Sequence, residues 1–180
     1  EESPYSLEPN CKESPGGLRD LQTILWIAQA AGYGNSWCDL EQHGFITERE
    51  RLGLERRELF LQRLRVHLHL LVGRREDRIL FDYQTALAEQ LGFSDSPTRR
   101  ASELLMQEYY RTAKTIMQLN TILLQNMGAA IFPTPEQTPQ PINERFQNTH
   151  QLLDVTHEKV FAEHPQAMLE AFLIIEQHSE

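Results

Sequence analysis

SPTRRASELLMQEYYRTAKTIMQLNTILLQNMGAAI, residues 96–131, is the stretch whose reading decides the fold. Ser96-Pro97 is a helix-start signature, with Ser at the N-cap and Pro at the first helical position, where a missing N–H is tolerated. Neither Gly nor Pro recurs before Gly128. Leu105, Tyr109, Ala113, Ile116, Leu123 and Met127 fall at helical spacing and keep one face apolar. About thirty residues at ~1.5 Å rise make a helix of roughly 45 Å, long enough to be the spine of a bundle.

Upstream, Asp82 is placed to cap a short helix that runs to Leu91 and is closed by Gly92. Thr47 and Glu50 form a capping-box pair opening another helix. Gly53 interrupts it briefly, and Leu61, Leu64, Leu68 and Leu71 form a stripe that ends at Gly73. Leu18, Leu21, Leu25 and Ala28 predict a helix through Ala31, stopped by Gly32 and Gly34. Residues 35–46 read as irregular, and residues 3–16 as an extended arm and turn. Downstream, four prolines between Phe132 and Pro141 end the bundle. Arg145-Phe146-Gln147 and Leu152-Leu153-Asp154-Val155 are expected to pair as a hairpin, with helix the competing reading. A last amphipathic helix follows His164-Pro165. The fold class is therefore mainly α: an irregular antiparallel helical bundle with an extended N-terminal arm and one small β-hairpin. Its segments are 1–16 (arm), 17–132 (bundle), 133–163 (Pro-rich loop and hairpin) and 164–180 (final helix).

The 180 residues, 40% hydrophobic and 24% charged, suffice for a core and argue against disorder. No apolar run approaches the roughly 18 residues of a membrane span. A net charge of −9 argues against nucleic acid as a partner. The charge is uneven: residues 48–78 are rich in Arg, whereas residues 132–180 carry eight acidic side chains against Arg145 and Lys159. The Arg-rich stretch reads first as a helix laced with i,i+4 ion pairs and second as a local anion site. The chain opens on Glu1 rather than Met and without a secretion signal. It is expected to be a piece from inside a longer protein. Cys11 and Cys38, in no CxxC, fit a reducing, cytoplasmic setting. The seven histidines make no metal-ligand spacing, and no phosphate-loop or nucleophile motif occurs.

Three clusters remain. Lys12-Glu13-Ser14-Pro15-Gly16-Gly17-Leu18-Arg19-Asp20 joins the arm to a helix. Gly16 and Gly17 let backbone approach a phosphate, the helix start offers N–H groups, Lys12 and Arg19 add positive charge, and Asp20 supplies a metal-competent carboxylate. On spacing alone, a purely structural turn with Arg19 in an ion pair is the stronger reading. In the second cluster, residues 73–84, Arg74 and Arg78 stand with Asp77 and Asp82. Mutual ion pairs lock such a loop; alternatively it presents Arg78 to a triphosphate, oriented by Asp77 or Asp82. The third is Tyr109-Tyr110-Arg111 in the long helix, where the aromatic pair reads as core and Arg111 as a snorkelling or paired cation.

These pieces in this order resemble a known family. LEPNCKESPGGLRDLQTILW (7–26), GRREDRILFDYQ (73–84), MQEYYRTAK (106–114) and HPQAMLEAFLIIEQH (164–178) are similar to the middle of bacterial PII uridylyltransferase/uridylyl-removing enzymes. The resemblance implies a preceding nucleotidyltransferase core, to which residues 1–16 would belong, with residues 5–13 as its last strand. It implies a following phosphohydrolase domain, into which 164–180 would lead. The helical middle also resembles that of glutamine synthetase adenylyltransferases, which stays an alternative, as does a bundle serving only protein interaction. The family implies Mg2+, UTP and the PII signal protein as cofactor and partners of the longer enzyme, and no cofactor for this segment alone. By the same resemblance Asp20 is a candidate third metal-binding carboxylate. Lys12, Gly16, Gly17, Arg19, Arg74 and Arg78 become candidate phosphate-binding residues, supported by Asp77, Asp82, Tyr110 and Arg111. Without its core, the arm is expected to be loosely held.

Overall fold

The computed structural model describes residues 6–132, 139–149 and 152–177. Residues 133–138 of the Pro-rich stretch, His150 and His178 lie outside them. The chain divides into two compact units, residues 1–131 and 132–180.

The first unit is a helical bundle of α1 (Leu18–Ala30), α2 (Trp37–Gln42), α3 (Glu48–Val72), α4 (Phe81–Gln90) and α5 (Ala101–Ile131). Leu105, Tyr109, Ala113, Ile116, Leu123 and Met127 of α5 are buried, as its periodicity predicts. They pack with Leu21 and Ile24 of α1, Leu61, Leu64 and Leu68 of α3, and Leu87 of α4 in one core. Thr47 and Glu50 form the expected reciprocal cap, and α3 ends where Gly73 turns left-handed at φ 70°.

Several boundaries differ from the sequence reading, each for a local reason. Residues 35–46 contain α2, because Ser36 and Asp39 form a second capping box and Trp37 Nε1 donates to Glu58 Oε2 of α3 at 2.7 Å. Gly53 does not break α3. Asp82 lies inside the first turn of α4 and caps nothing; the Phe81 N–H is satisfied by Glu8 of the arm at 2.9 Å. Ser96-Pro97 opens a tight turn closed by Ser96–Arg99 hydrogen bonds, so α5 starts at Ala101, whose N–H meets Asp95 Oδ1 at 2.7 Å.

The second unit holds an antiparallel sheet, β1 (Gln140–Pro141), β2 (Phe146–Thr149) and β3 (Leu152–Val155), in the order β1-β2-β3. Phe146 pairs with Val155 and Asn148 with Leu153, so the expected hairpin is present with one added strand. A short α6 (Val160–Glu163), unforeseen in the sequence, precedes α7 (Ala167–Gln177). Phe146, Val160, Ala167 and Ile174 make this unit's small core, leaving Leu169, Phe172 and Leu173 of α7 exposed.

The turn before α1 touches the spine. Gly16 has φ +78°, and a Cβ there would land on the Ala113 backbone of α5. Gly32 has φ +82° with open space around it. Gly16→Ala is therefore expected to cost about 3 kcal/mol of unfolding free energy, against about 1 kcal/mol for Gly32→Ala. Urea unfolding of both variants checks this; equal losses would contradict the close approach.

Candidate functional site: a strapped turn between the arm and two helices

Residues 6–16 do not hang free. Pro9, Cys11, Ser14 and Gly16 are buried. The Cys11 N–H donates to the Asp77 carbonyl at 2.8 Å and the Ile79 N–H to the Pro9 carbonyl at 2.9 Å, an antiparallel bridge centred on Asn10 and Arg78. The Tyr110 hydroxyl donates to the Ser6 carbonyl at 2.8 Å, and Gln84 Nε2 to the Leu7 carbonyl at 3.3 Å. For residues 6–16 the expectation of a loosely held arm is thus overturned, because their backbone groups find partners on α4, α5 and the loop after α3; residues 1–5 of the arm lie outside the described residues. No strand forms over the described residues 6–13; the bridge is isolated.

Beyond the bridge the chain turns tightly. Asn10 Oδ1 accepts the N–H groups of Lys12 and Glu13 at 3.0 and 2.9 Å, an Asx-type turn. The turn then consumes the start of α1: the N–H of Gly17 goes to Ser14 O, Leu18 to Cys11 O, Arg19 to Lys12 O and Asp20 to Gly17 O. Gly16 N–H donates to Asp20 Oδ2 at 2.7 Å. The helix start therefore offers no free N–H from Gly16 to Asp20, which corrects the sequence expectation. The two glycines allow close approach to protein: Gly16 to α5, and Gly17 to the carbonyls of Lys12 and Ser14, which an added Cβ would meet at 2.7 and 2.8 Å.

Glu13 organises the charge of this turn. Its carboxylate accepts from Arg19 Nε and Nη2 at 3.1 and 2.9 Å and lies 3.0 Å from Lys12 Nζ. Arg19 first, then Lys12, hold the Glu13 carboxyl down at about 2. Arg19 also stacks over Trp26, 5.6 Å from the ring centroid, and Trp26 is 54% exposed. Two cations share one carboxylate, leaving one positive charge over. Asp20 Oδ1 has no partner among the described residues. Neither Glu13 nor Trp26 stood out in the sequence, although Trp26 lies two helical turns from Arg19 on the same face.

Asp77 anchors the facing loop. Its carboxylate takes Arg65 Nε at 2.6 Å and His69 Nε2 at 3.0 Å from α3, with Arg75 at 3.8 Å. Arg65 and His69 are four residues apart on one helix face, a pairing the sequence contained. Burial pushes the Asp77 carboxyl up, but the hydrogen bonds and charges of Arg65 and His69 outweigh it and hold it below the ordinary range. Cys11, buried beside this pair, is pushed up to about 12, first by burial and then by the Asp77 charge. Glu76 Oε1 accepts the N–H groups of Asp77 and Arg78. Arg74 reaches Glu76 at 3.4 Å, and both Arg74 and Arg78 are exposed. Asp82 and Arg111 are exposed, with no side-chain hydrogen bond or ion pair among the described residues. Tyr109 is buried, whereas Tyr110 bonds the arm.

The bridge thus brings the Lys12–Asp20 turn beside the loop around Arg78, and Tyr110 beneath the arm. No group of three or more His, Cys, Asp or Glu able to hold a metal occurs among the described residues, so Asp20 offers at most one ligand of a set completed elsewhere. No helix among the described residues is long and apolar enough to cross a membrane.

The family model described as GlnD PII-uridylyltransferase matches residues 1–124, and that described as uridylyltransferase GlnD third domain matches 146–180. Bifunctional uridylyltransferase/uridylyl-removing enzymes are similar along the chain: 52% identical over 180 residues in Bordetella pertussis, 52% over 180 in Nitrosospira multiformis and 55% over 179 in Aromatoleum aromaticum. The matches cover 100%, 100% and 99% of this chain but 21%, 20% and 21% of those enzymes. No solved structure matches. The chain belongs to the GlnD PII-uridylyltransferase family and spans about one fifth of the length of the curated relatives it matches.

Because Asp77 is held below its ordinary value, its contribution is complete above the unfolded carboxylate range, about 3.9, and fades as pH falls through the lower folded value. Asp77→Asn should reduce unfolding free energy by about 2 kcal/mol at pH 7. The gap to the unsubstituted chain should close below about pH 4. A gap independent of pH in denaturant melts would show that the charge is not what ties the loop.

Proposed function

We propose that this chain is the helical middle of a bifunctional PII uridylyltransferase/uridylyl-removing enzyme, where it supports UTP-dependent uridylylation of the PII signal protein. The observation that carries the reading is the match along the whole chain to such enzymes, the strapped turn included. In this reading residues 1–16 connect to a nucleotidyltransferase core, 17–132 form the bundle, 133–163 the loop and hairpin, and 164–180 lead to the phosphohydrolase domain of a cytoplasmic protein. The segment alone is an incomplete catalyst.

Asp20, with one carboxylate oxygen uncommitted among the described residues, serves as a third metal-binding carboxylate beside those of the core. Mg2+ bound there would draw negative charge off the reacting phosphates. This chain's own part is to hold Asp20 in place through Gly16 N–H and to set cations beside it. Lys12 and Arg19 meet the UTP phosphates by side chain, exchanging Glu13 for phosphate oxygen. Gly16 and Gly17 shape the turn, Arg74 and Arg78 face the triphosphate or the PII loop, and Arg111 adds a cation on α5. Asp77 and Tyr110 hold loop and arm in position, with Asp82 exposed in the first turn of α4.

The alternative, a bundle that couples neighbouring domains and touches no nucleotide, is favoured by one observation: every N–H from Gly16 to Asp20 is already used. One assay separates them. The separately expressed nucleotidyltransferase core receives PII, UTP and Mg2+ with and without this chain, and uridylylation is followed by mass. Activity should require the chain and fall at least about a hundredfold with Asp20→Asn, a change that keeps an acceptor for Gly16 N–H. Core activity unaffected by the chain supports the coupling reading.

A further inference from the structure

Helix α3 has a second organised face. Opposite the buried Leu54, Leu61, Leu64 and Leu68 stand Leu52, Leu59, Val66 and Leu70, which are 42, 54, 55 and 72% exposed. Arg49, Arg56 and Arg63 alternate with them, also exposed. Together these positions step by three and four residues from Arg49 to Leu70, the spacing of a coiled-coil seam carried through three heptads. At ~1.5 Å per residue the seam runs about 32 Å. Leu52, Leu59, Val66 and Leu70 thus line up as one exposed apolar stripe rather than as scattered single side chains.

The arginines of α3 sort by face. Arg51 pairs with Glu41 and Glu55, Arg57 donates to the Gly53 carbonyl, and Arg65 pairs with Asp77. Arg49, Arg56 and Arg63 make no side-chain hydrogen bond or ion pair among the described residues. The seam therefore carries three cations at seven-residue spacing that are unmatched among the described residues, on a chain whose net charge is −9.

We propose that this seam docks an amphipathic α-helix supplied from outside this chain. That helix would be apolar opposite Leu52, Leu59, Val66 and Leu70, with Asp or Glu at seven-residue spacing opposite Arg49, Arg56 and Arg63. Charge complementarity selects this occupant. A second copy in parallel register would stack Arg on Arg in three layers. A nucleic acid would meet the cations but leave the apolar positions in water and face the net negative charge. The inference is independent of uridylyl transfer.

The test titrates the intact chain into two fluorescein-labelled three-heptad helical peptides with Leu at one seam position and either Glu or Lys at the other. Anisotropy should give binding of the Glu peptide at least about tenfold tighter than of the Lys peptide, weakening with salt. Arg56→Glu with Arg63→Glu should reverse the preference, and Arg56→Ala with Arg63→Ala should erase it, with α-helical circular dichroism unchanged. Equal binding of both peptides, or of neither at about 1 mM, overturns the proposal. So does displacement of the Glu peptide by an RNA oligonucleotide that itself binds Arg56 and Arg63. Self-association of the chain in sedimentation, abolished by Leu59→Asp, overturns it in favour of a second copy.

Discussion

Two backbone hydrogen bonds hold the site in its form: Cys11 N–H to the Asp77 carbonyl, and Ile79 N–H to the Pro9 carbonyl. They join segments far apart in sequence, so closing them carries a loop-entropy cost, and each bond nets only about 1 kcal/mol. The closure persists because other contacts act on the same two segments. Asp77 is fixed to α3 by Arg65 and His69, Cys11 is fully buried, Glu8 caps α4, and Tyr110 fastens Ser6. With the arm fixed, the Asn10 turn follows, Gly16 seats on α5, and Asp20 is fixed against Gly16 N–H.

That sequence of dependencies separates what the residues declared from what they hid. Periodicity marked α1, α3 and α5 because each buries a single stripe, and local signals suffice when one face decides the outcome. The Thr47–Glu50 cap was legible for the same reason: both partners lie within one turn. Asp82 and Ser96 misled because their helices are capped from elsewhere, by Glu8 in the arm and by Asp95. A capping signature states what a side chain is able to do, and the tertiary structure decides whether a better acceptor arrives first.

The candidate site was legible as a cluster and not as a geometry. Lys12, Arg19 and Asp20 could be chosen by charge and proximity, and Asp77 and Arg78 by their loop. Nothing local showed that Glu13 would gather both cations, or that the N–H groups at the start of α1 would be consumed by the arm's own carbonyls. Glycines that read as room for a phosphate prove to be room for α5 and for the turn itself. The chemistry open to this turn therefore belongs to its side chains: two cations sharing one carboxylate, and an Asp20 oxygen uncommitted among the described residues.

Hydrogen exchange at the amides of Cys11 and Ile79 tests the central claim most directly. If the strap is an integral part of the bundle, both amides should exchange as slowly as those of Leu64 and Ile116 in the helical core, and together with them on global unfolding. Exchange at the rate of an unstructured chain, with the core amides still protected, would contradict the account and return the arm to a separate, unanchored segment.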